Sequence, residues 1–169
     1  DVGKPAVFTP DETGRGHFPG HAAKSAEMAN EILLRLKAPT ALRQQVVFLV
    51  EKHMTPLEPD RKLLRRRLSR YGREPLRRLL ALQAADFGAK GVTGDKYPAE
   101  EIEAVLSEIL EENACFSLKD LAVKGGDLIA LGYAGPEIGR ALNRLLELVV
   151  SEEVPNEKGA LLAAIREYE

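Results

Sequence analysis

The sequence predicts an all-α protein with no sheet, and three observations support this. Apolar residues recur at the spacing of amphipathic helices along most of the chain. No window alternates apolar and polar residues as a half-buried strand would, and prolines and glycines fall between the apolar runs. With 169 residues, of which 44% are hydrophobic, the chain can bury a core. We expect a helical body over 1–92 and a small helical tail over 93–169, joined near 88–95.

The body is predicted to contain a loop followed by four helices. Residues 1–20 lack helical periodicity and are rich in glycine and proline, which indicates a loop. Asp60 is expected to cap the start of a basic helix, and Gly72 to end it. The predicted helices are 21–37, 39–53, 60–71 and 74–90.

The tail is predicted to be helical throughout. An acidic helix is expected over 98–113, and Asn156 is expected to cap the last helix of the chain. Between them the pattern predicts short helices at 117–123 and 127–131 and a longer one at 136–151.

Composition excludes several classes of protein. The longest uncharged stretch, 128–136, has nine residues, whereas about 20 are needed to cross a bilayer. A single cysteine, Cys115, excludes a disulfide framework and a multi-cysteine zinc site. We therefore expect a cytoplasmic protein without a membrane partner. Because the chain begins at Asp1 without methionine, we also expect it to be a truncated or processed part of a longer protein.

The net charge of −2 hides a basic block followed by an acidic one. Residues 61–78 contain nine basic residues and one acid, and residues 95–113 contain seven acids and one lysine. The basic block either follows RNA phosphates or is a solvated face that pairs with the acidic helix. The candidate RNA contacts in it are Arg61, Lys62, Arg65, Arg66, Arg67 and Arg70.

A second candidate for RNA contact is the glycine-bounded turn between the helices predicted at 127–131 and 136–151. Free backbone N–H groups at a helix start form an anion site, and glycines allow a phosphodiester backbone to come close. The alternative is a tight helical hairpin in which Gly139 permits close packing. The candidate contacts are Lys124, Gly135, Gly139, Arg140 and Arg144.

Histidines and carboxylates in the body could form a metal site. His21 begins one predicted helix and His53 ends the next, while Asp86 follows an apolar stretch where an unpaired carboxylate is costly. Mixed imidazole and carboxylate ligands suit divalent transition metals, and carboxylates also admit magnesium. The alternative is that these are ordinary polar residues at helix ends.

The first residues resemble part of the His-Asp signature of the HD superfamily of metal-dependent phosphohydrolases. The resemblance rests on Asp1-Val2-Gly3-Lys4-Pro5, His21-Ala22-Ala23-Lys24-Ser25, His53 and Ala85-Asp86. It implies that Asp1, His21, His53 and Asp86 are metal ligands, with His17 as a further candidate. The two other histidines of the family's site would precede Asp1, so we expect this chain alone to hold metal weakly.

A second resemblance spans nearly the whole chain. The runs Gly14–His21, Ile32–Lys37, Leu121–Gly132, Gly135–Gly139 and Pro155-Asn156-Glu157 are similar to the body and tail of bacterial CCA-adding tRNA nucleotidyltransferases. The resemblance implies tRNA as partner, and addition of C, C and A from CTP and ATP with magnesium by an N-terminal catalytic head. No such head is in this sequence, so we expect the chain alone to be inactive in nucleotidyl transfer.

Three functional hypotheses follow. The leading one is the tRNA-binding body and tail of a CCA-adding enzyme. The alternatives are an HD-type phosphohydrolase acting on phosphate esters of nucleotides or RNA ends, and a helical domain whose basic face binds an acidic protein. The sequence leaves the metal and the oligomeric state open.

Overall fold

The computed structural model describes residues 1–89, 97–112 and 115–167, and these confirm the all-α prediction. A 3₁₀ turn at Lys4–Val7 precedes the helices. The helices are α1 (His21–Arg35), α2 (Thr40–Lys52), α3 (Arg61–Tyr71), α4 (Arg73–Ala89), α5 (Ala99–Glu111), α6 (Gly125–Ile129), α7 (Pro136–Val150) and α8 (Lys158–Arg166). None of them, within the described residues, is long and apolar enough to span a bilayer.

The expectation of no sheet is wrong in one detail. Two short strands, β1 (Thr9–Pro10) and β2 (Gly16–His17), pair antiparallel with Thr9 opposite His17. Between them the Asp11 carboxylate accepts the backbone N–H groups of Thr13 and Arg15, both at 2.9 Å, and so closes the turn. A hairpin this short leaves no alternating apolar pattern in the sequence.

The chain divides into two compact units. The first comprises 1–57 and 73–99, and the second comprises 58–72 and 100–169. The domain boundary expected between residues 92 and 93 lies outside the described residues.

In the first unit, α2 is the central helix. It packs along α1 on one side and against α4 on another, while the 3₁₀ turn rests on α1. Buried residues of this unit include Ala26 on α1, Leu57 after α2, and Leu76 and Leu79 on α4. The chain start is therefore held beside the first turn of α1.

In the second unit, α7 is the central helix. It packs against α3, α6 and α8, and its apolar face contributes the fully buried Leu145 and Leu148. Leu128 of α6 and Leu161 of α8 complete the same core. This packing leaves the opposite face of α7, with its charged residues, toward solvent.

The residues that cap α3 are the ones predicted from the sequence. The Asp60 carboxylate accepts the N–H of Leu63 at 2.6 Å, as an N-cap does. Gly72 has φ +80°, and its N–H donates to the carbonyl of Leu68. Both predicted ends of the basic helix are confirmed.

Two expectations about the tail are wrong. Residues 117–120 form a turn and 121–123 are irregular, so no helix is present here. The Asp120 carboxylate accepts the N–H and the hydroxyl of Ser117 and so closes the turn. Asn156 does not cap α8, whose N-cap is Glu157. Instead, the Asn156 amide accepts the N–H of Ala122 at 2.8 Å and donates to the carbonyl of Asp120 at 2.9 Å.

Candidate functional site

Three of the predicted metal ligands lie together in the first unit. The Nε2 atoms of His21 and His53 are 3.3 Å apart. The Asp1 Oδ1 lies 3.6 Å from His21 Nε2 and 3.9 Å from His53 Nε2. All three potential ligand atoms fall within 4.8 Å of one another, a spacing that one divalent ion could bridge.

Backbone carbonyls orient both imidazoles. His21 Nδ1 lies 3.0 Å from the carbonyl of Phe18, and His53 Nδ1 lies 2.7 Å from the carbonyl of Val50. Because a carbonyl only accepts, each Nδ1 carries a proton, and in the neutral form of the ring each Nε2 then presents a lone pair. Two lone pairs that face each other at 3.3 Å repel unless a cation or a proton lies between them.

A close backbone approach places Asp1 at this site. The N–H of Gly3 donates to the hydroxyl of the buried Ser25 at 3.0 Å, which ties the chain start to α1. A Cβ at Gly3 would lie 2.6 Å from the backbone nitrogen of Ser25, so only glycine fits. Lys4 Nζ binds Asp1 Oδ2 at 2.7 Å, on the carboxylate oxygen other than the one nearest the imidazoles.

Asp86 reaches the same region from α4. With Asp1 and His53 it lines two cavities of about 190 and 280 Å³. Gln83, one turn earlier on α4, donates to the carbonyls of His53 at 2.8 Å and Thr55 at 2.7 Å. This side chain holds α4 beside the end of α2 and so keeps Asp86 near the cluster.

His17 lines the larger of these cavities but contacts a different carboxylate. Its Nε2 lies 3.0 Å from Asp11 Oδ2 in the hairpin. The hydroxyl of Thr13 first, and His17 second, lower the pKa of Asp11 from 3.8 to about 2. The tight group of three ligand atoms does not include His17.

In the second unit, the arginines of α3 have different environments. Arg65 is 4% exposed, and its guanidinium donates to the carbonyls of Val149 and Val150. Arg61 pairs with Glu112, in the predicted acidic segment, and with Glu152, which raises its pKa. The Arg65 guanidinium is therefore engaged inside the protein and does not face a ligand at the surface.

The remaining basic residues of α3 face outward to different degrees. Lys62, Arg66 and Arg70 are exposed, and Arg67 is half-buried. The guanidinium groups of Arg67 and Arg70 lie 5.8 and 6.0 Å from the ring centre of Tyr71. These contacts hold two cations near the end of α3, and of the two only Arg70 is exposed.

The predicted glycine turn before α7 is also exposed. Gly135 is the N-cap of α7 with φ +53°. A Cβ at Gly139 would meet no atom within 4 Å, so close helix packing does not explain this glycine. Arg140 is exposed and lies 4.0 Å from Glu137, whereas Lys124 donates to the carbonyl of Lys119 at 2.7 Å.

Residues 21–165 match the family described as tRNA nucleotidyltransferase domain 2. The chain belongs to this family. The match confirms the resemblance to CCA-adding enzymes inferred from the motifs. It includes every candidate RNA contact, together with His21, His53 and Asp86, and it begins after Asp1.

Two relatives are similar over most of the chain. It is 38% identical over 151 residues to a CC-adding tRNA nucleotidyltransferase from Thermus thermophilus, a match that covers 87% of this chain and 33% of the relative. It is 36% identical over 162 residues to an A-adding tRNA nucleotidyltransferase from Deinococcus radiodurans, covering 91% of this chain and 36% of the relative. The chain thus spans about a third of the length of these relatives. No solved structure matches it.

Sequence reasoning missed several residues that organise the site in this family member. Ser25 and Gln83 anchor Asp1 and α4 through side-chain contacts that have no periodic signature. A local signal did exist for Asp11, because Asp11-Glu12-Thr13-Gly14 has the composition of an Asx turn.

Proposed function

We propose that this chain is the tRNA-binding body and tail of a CCA-adding type of nucleotidyltransferase. Its role is to hold tRNA through the phosphate backbone, while nucleotidyl transfer from CTP and ATP with magnesium requires a catalytic head outside this sequence. The similarity to relatives named as CC-adding and A-adding tRNA nucleotidyltransferases supports this role. The match covers about a third of each relative, as expected for one part of such an enzyme.

The observation that carries the proposal is the exposed basic surface of the second unit. Lys62, Arg66 and Arg70 extend outward from α3, and Arg140 does so from the start of α7. Guanidinium groups bind phosphate in bidentate fashion, and such contacts grip a nucleic acid without reading its bases. The net charge of −2 does not describe this surface, because residues 61–78 contain nine basic residues and one acid.

Titration of the full chain with labelled whole tRNA tests the proposal. We expect micromolar binding that weakens steeply with salt, because displaced counterions drive the association. Reversing the charge of Arg66 should weaken binding, whereas reversing Arg35, an exposed arginine on α1 of the first unit, is the matched control. Absence of salt-sensitive binding in the micromolar range would contradict the proposal, and stronger competition by an acidic protein than by tRNA would favour a protein partner.

A second candidate function is supported by the histidine pair. We propose that Asp1, His21 and His53, with Asp86 beside them, hold a divalent metal of the kind used by HD-type phosphohydrolases. The donor set fits, because two neutral imidazole Nε2 atoms and a carboxylate suit a transition metal. When bound, such a metal lowers the pKa of a coordinated water, which is the chemistry that hydrolysis of a phosphate ester requires.

Metal binding is tested with the full chain by calorimetric titration with manganese or cobalt. We expect one ion per chain, strong weakening in His53→Ala, and little change in His17→Ala, which removes a histidine of the same cavity. Hydrolysis of a 2′,3′-cyclic nucleotide is then measured on the loaded protein. Equal affinities of the two variants and the wild type would rule out the cluster as the metal site.

A further inference from the structure

Two cavities of the second unit share one side chain, Arg144. The first, of about 540 Å³, is lined by Arg66 and Arg70 of α3 and by residues of α7. The second, of about 510 Å³, is lined by Tyr133 and Arg140 around the start of α7. Because Arg144 lines both, the two cavities are neighbours along α7, and we call the pair the α7 furrow.

The α7 furrow carries regularly spaced cations. Arg66 and Arg70 are four residues apart on α3, and Arg140 and Arg144 are four apart on α7. Such pairs share one helix face, with Cβ atoms about 5–6 Å apart. The Asn143 amide, which lines the first cavity, donates to the carbonyl of Gly139 at 2.8 Å. A row of guanidinium groups suits the successive oxygens of a phosphodiester chain.

The furrow is also lined by three acids that oppose such a ligand, Glu137, Glu147 and Glu153. Glu147 Oε2 lies 3.3 Å from Arg144 Nη1, one turn along the same helix. The side chains are 42% exposed for Arg144 and 69% exposed for Glu147, so this pair contributes little to stability. A phosphate oxygen and the Glu147 carboxylate would compete for the same guanidinium.

We propose that one strand of an RNA backbone lies in the α7 furrow, with Arg144 as its central contact and Glu147 as a competitor that a phosphate displaces. The inference rests on the proposed RNA-binding function and deepens it. It joins the basic helix and the glycine turn, about 70 residues apart in sequence, into a single path. It also assigns a residue whose removal strengthens binding.

The test uses the full chain, a fluorescent RNA hairpin and polarisation titrations at several salt concentrations. Arg144→Gln should weaken binding about tenfold and reduce the salt slope by about one phosphate contact. Glu147→Gln should tighten binding about two- to fivefold, because the competing carboxylate is removed. The matched controls are Lys119→Gln and Glu101→Gln, which change the net charge equally at exposed positions that line neither cavity. Circular dichroism of each variant checks that the fold is retained.

The outcomes separate this inference from the function on which it rests. Suppose that the wild type binds RNA and that Arg144→Gln and Lys119→Gln lower its affinity equally. Affinity then follows net charge alone, so the furrow path is overturned while RNA binding stands. If Glu147→Gln binds no more tightly than Glu101→Gln, its role as a competitor is overturned. Failure of the wild type to bind any RNA overturns both proposals.

Discussion

Replacing Arg65 by methionine is expected to destabilise the second unit. The Arg65 guanidinium donates to the carbonyl of Val150 at 2.9 Å and to that of Val149 at 3.0 Å. Both carbonyls belong to the last turn of α7. The Val149 carbonyl also accepts the backbone N–H of Glu152 at 3.1 Å, so the Val150 carbonyl depends more on Arg65. The ring of Phe116 lies 5.4 Å from the guanidinium carbon. Arg65 therefore connects α3 to the end of α7 in the interior.

The size of the effect follows from these contacts. Methionine keeps much of the packed volume but has no donor, and a buried acceptor left without its donor costs about 1–3 kcal/mol. The substitution also removes the cost of keeping the guanidinium charge away from water, which offsets part of the loss of the second hydrogen bond. We expect the free energy of unfolding to fall by about 2 kcal/mol.

Urea unfolding followed by circular dichroism measures this change. For a urea dependence of about 2 kcal/mol per M, the unfolding midpoint should fall by about 1 M. Arg66→Met is the matched control, because the neighbouring side chain is exposed and its change should stay within about 0.5 kcal/mol. Equal midpoints for the two variants would refute the reasoning.

Three further predictions concern other parts of the chain. Gly3→Ala should weaken metal binding in calorimetry, because the new Cβ would displace the chain start, whereas Gly159→Ala, where a Cβ meets no atom within 4 Å, should not; equal affinities would contradict the anchoring of Asp1. The Asp11 carboxyl should titrate near pH 2 by NMR, so its contribution to stability is present above its ordinary pKa of 3.8 and is lost as the pH falls toward 2; a midpoint near 4 would contradict this. Cys115 should be alkylated slowly until the protein unfolds, since burial raises the pKa of its thiol and it is 4% exposed; equal rates before and after unfolding would disprove its burial.

Much of the helical architecture was predictable because its signals are local. Apolar spacing located the long helices, and the caps Asp60 and Gly72 determine the ends of α3 through bonds to residues three or four positions away. The hairpin and the turn at 117–120 were not predicted, because single carboxylates decide them. Asn156 was misplaced because its partners lie 34 and 36 residues away.

The candidate metal site was only partly predictable. The sequence pointed to Asp1, His21 and His53, and the structure places their ligand atoms within 4.8 Å. The supports of the site, Ser25 and Gln83, are contacts between distant segments, which neither periodicity nor composition reports.

By itself, the sequence determined the helices, the separation of basic and acidic segments, and the resemblance to tRNA nucleotidyltransferases. Only the tertiary structure decided what each arginine of α3 does. Arg65 and Arg66 are adjacent and chemically identical, yet one is buried against α7 and the other is exposed. Successive residues of a helix differ by about 100° in direction, so the burial of each side chain depends on what packs against its face of the helix.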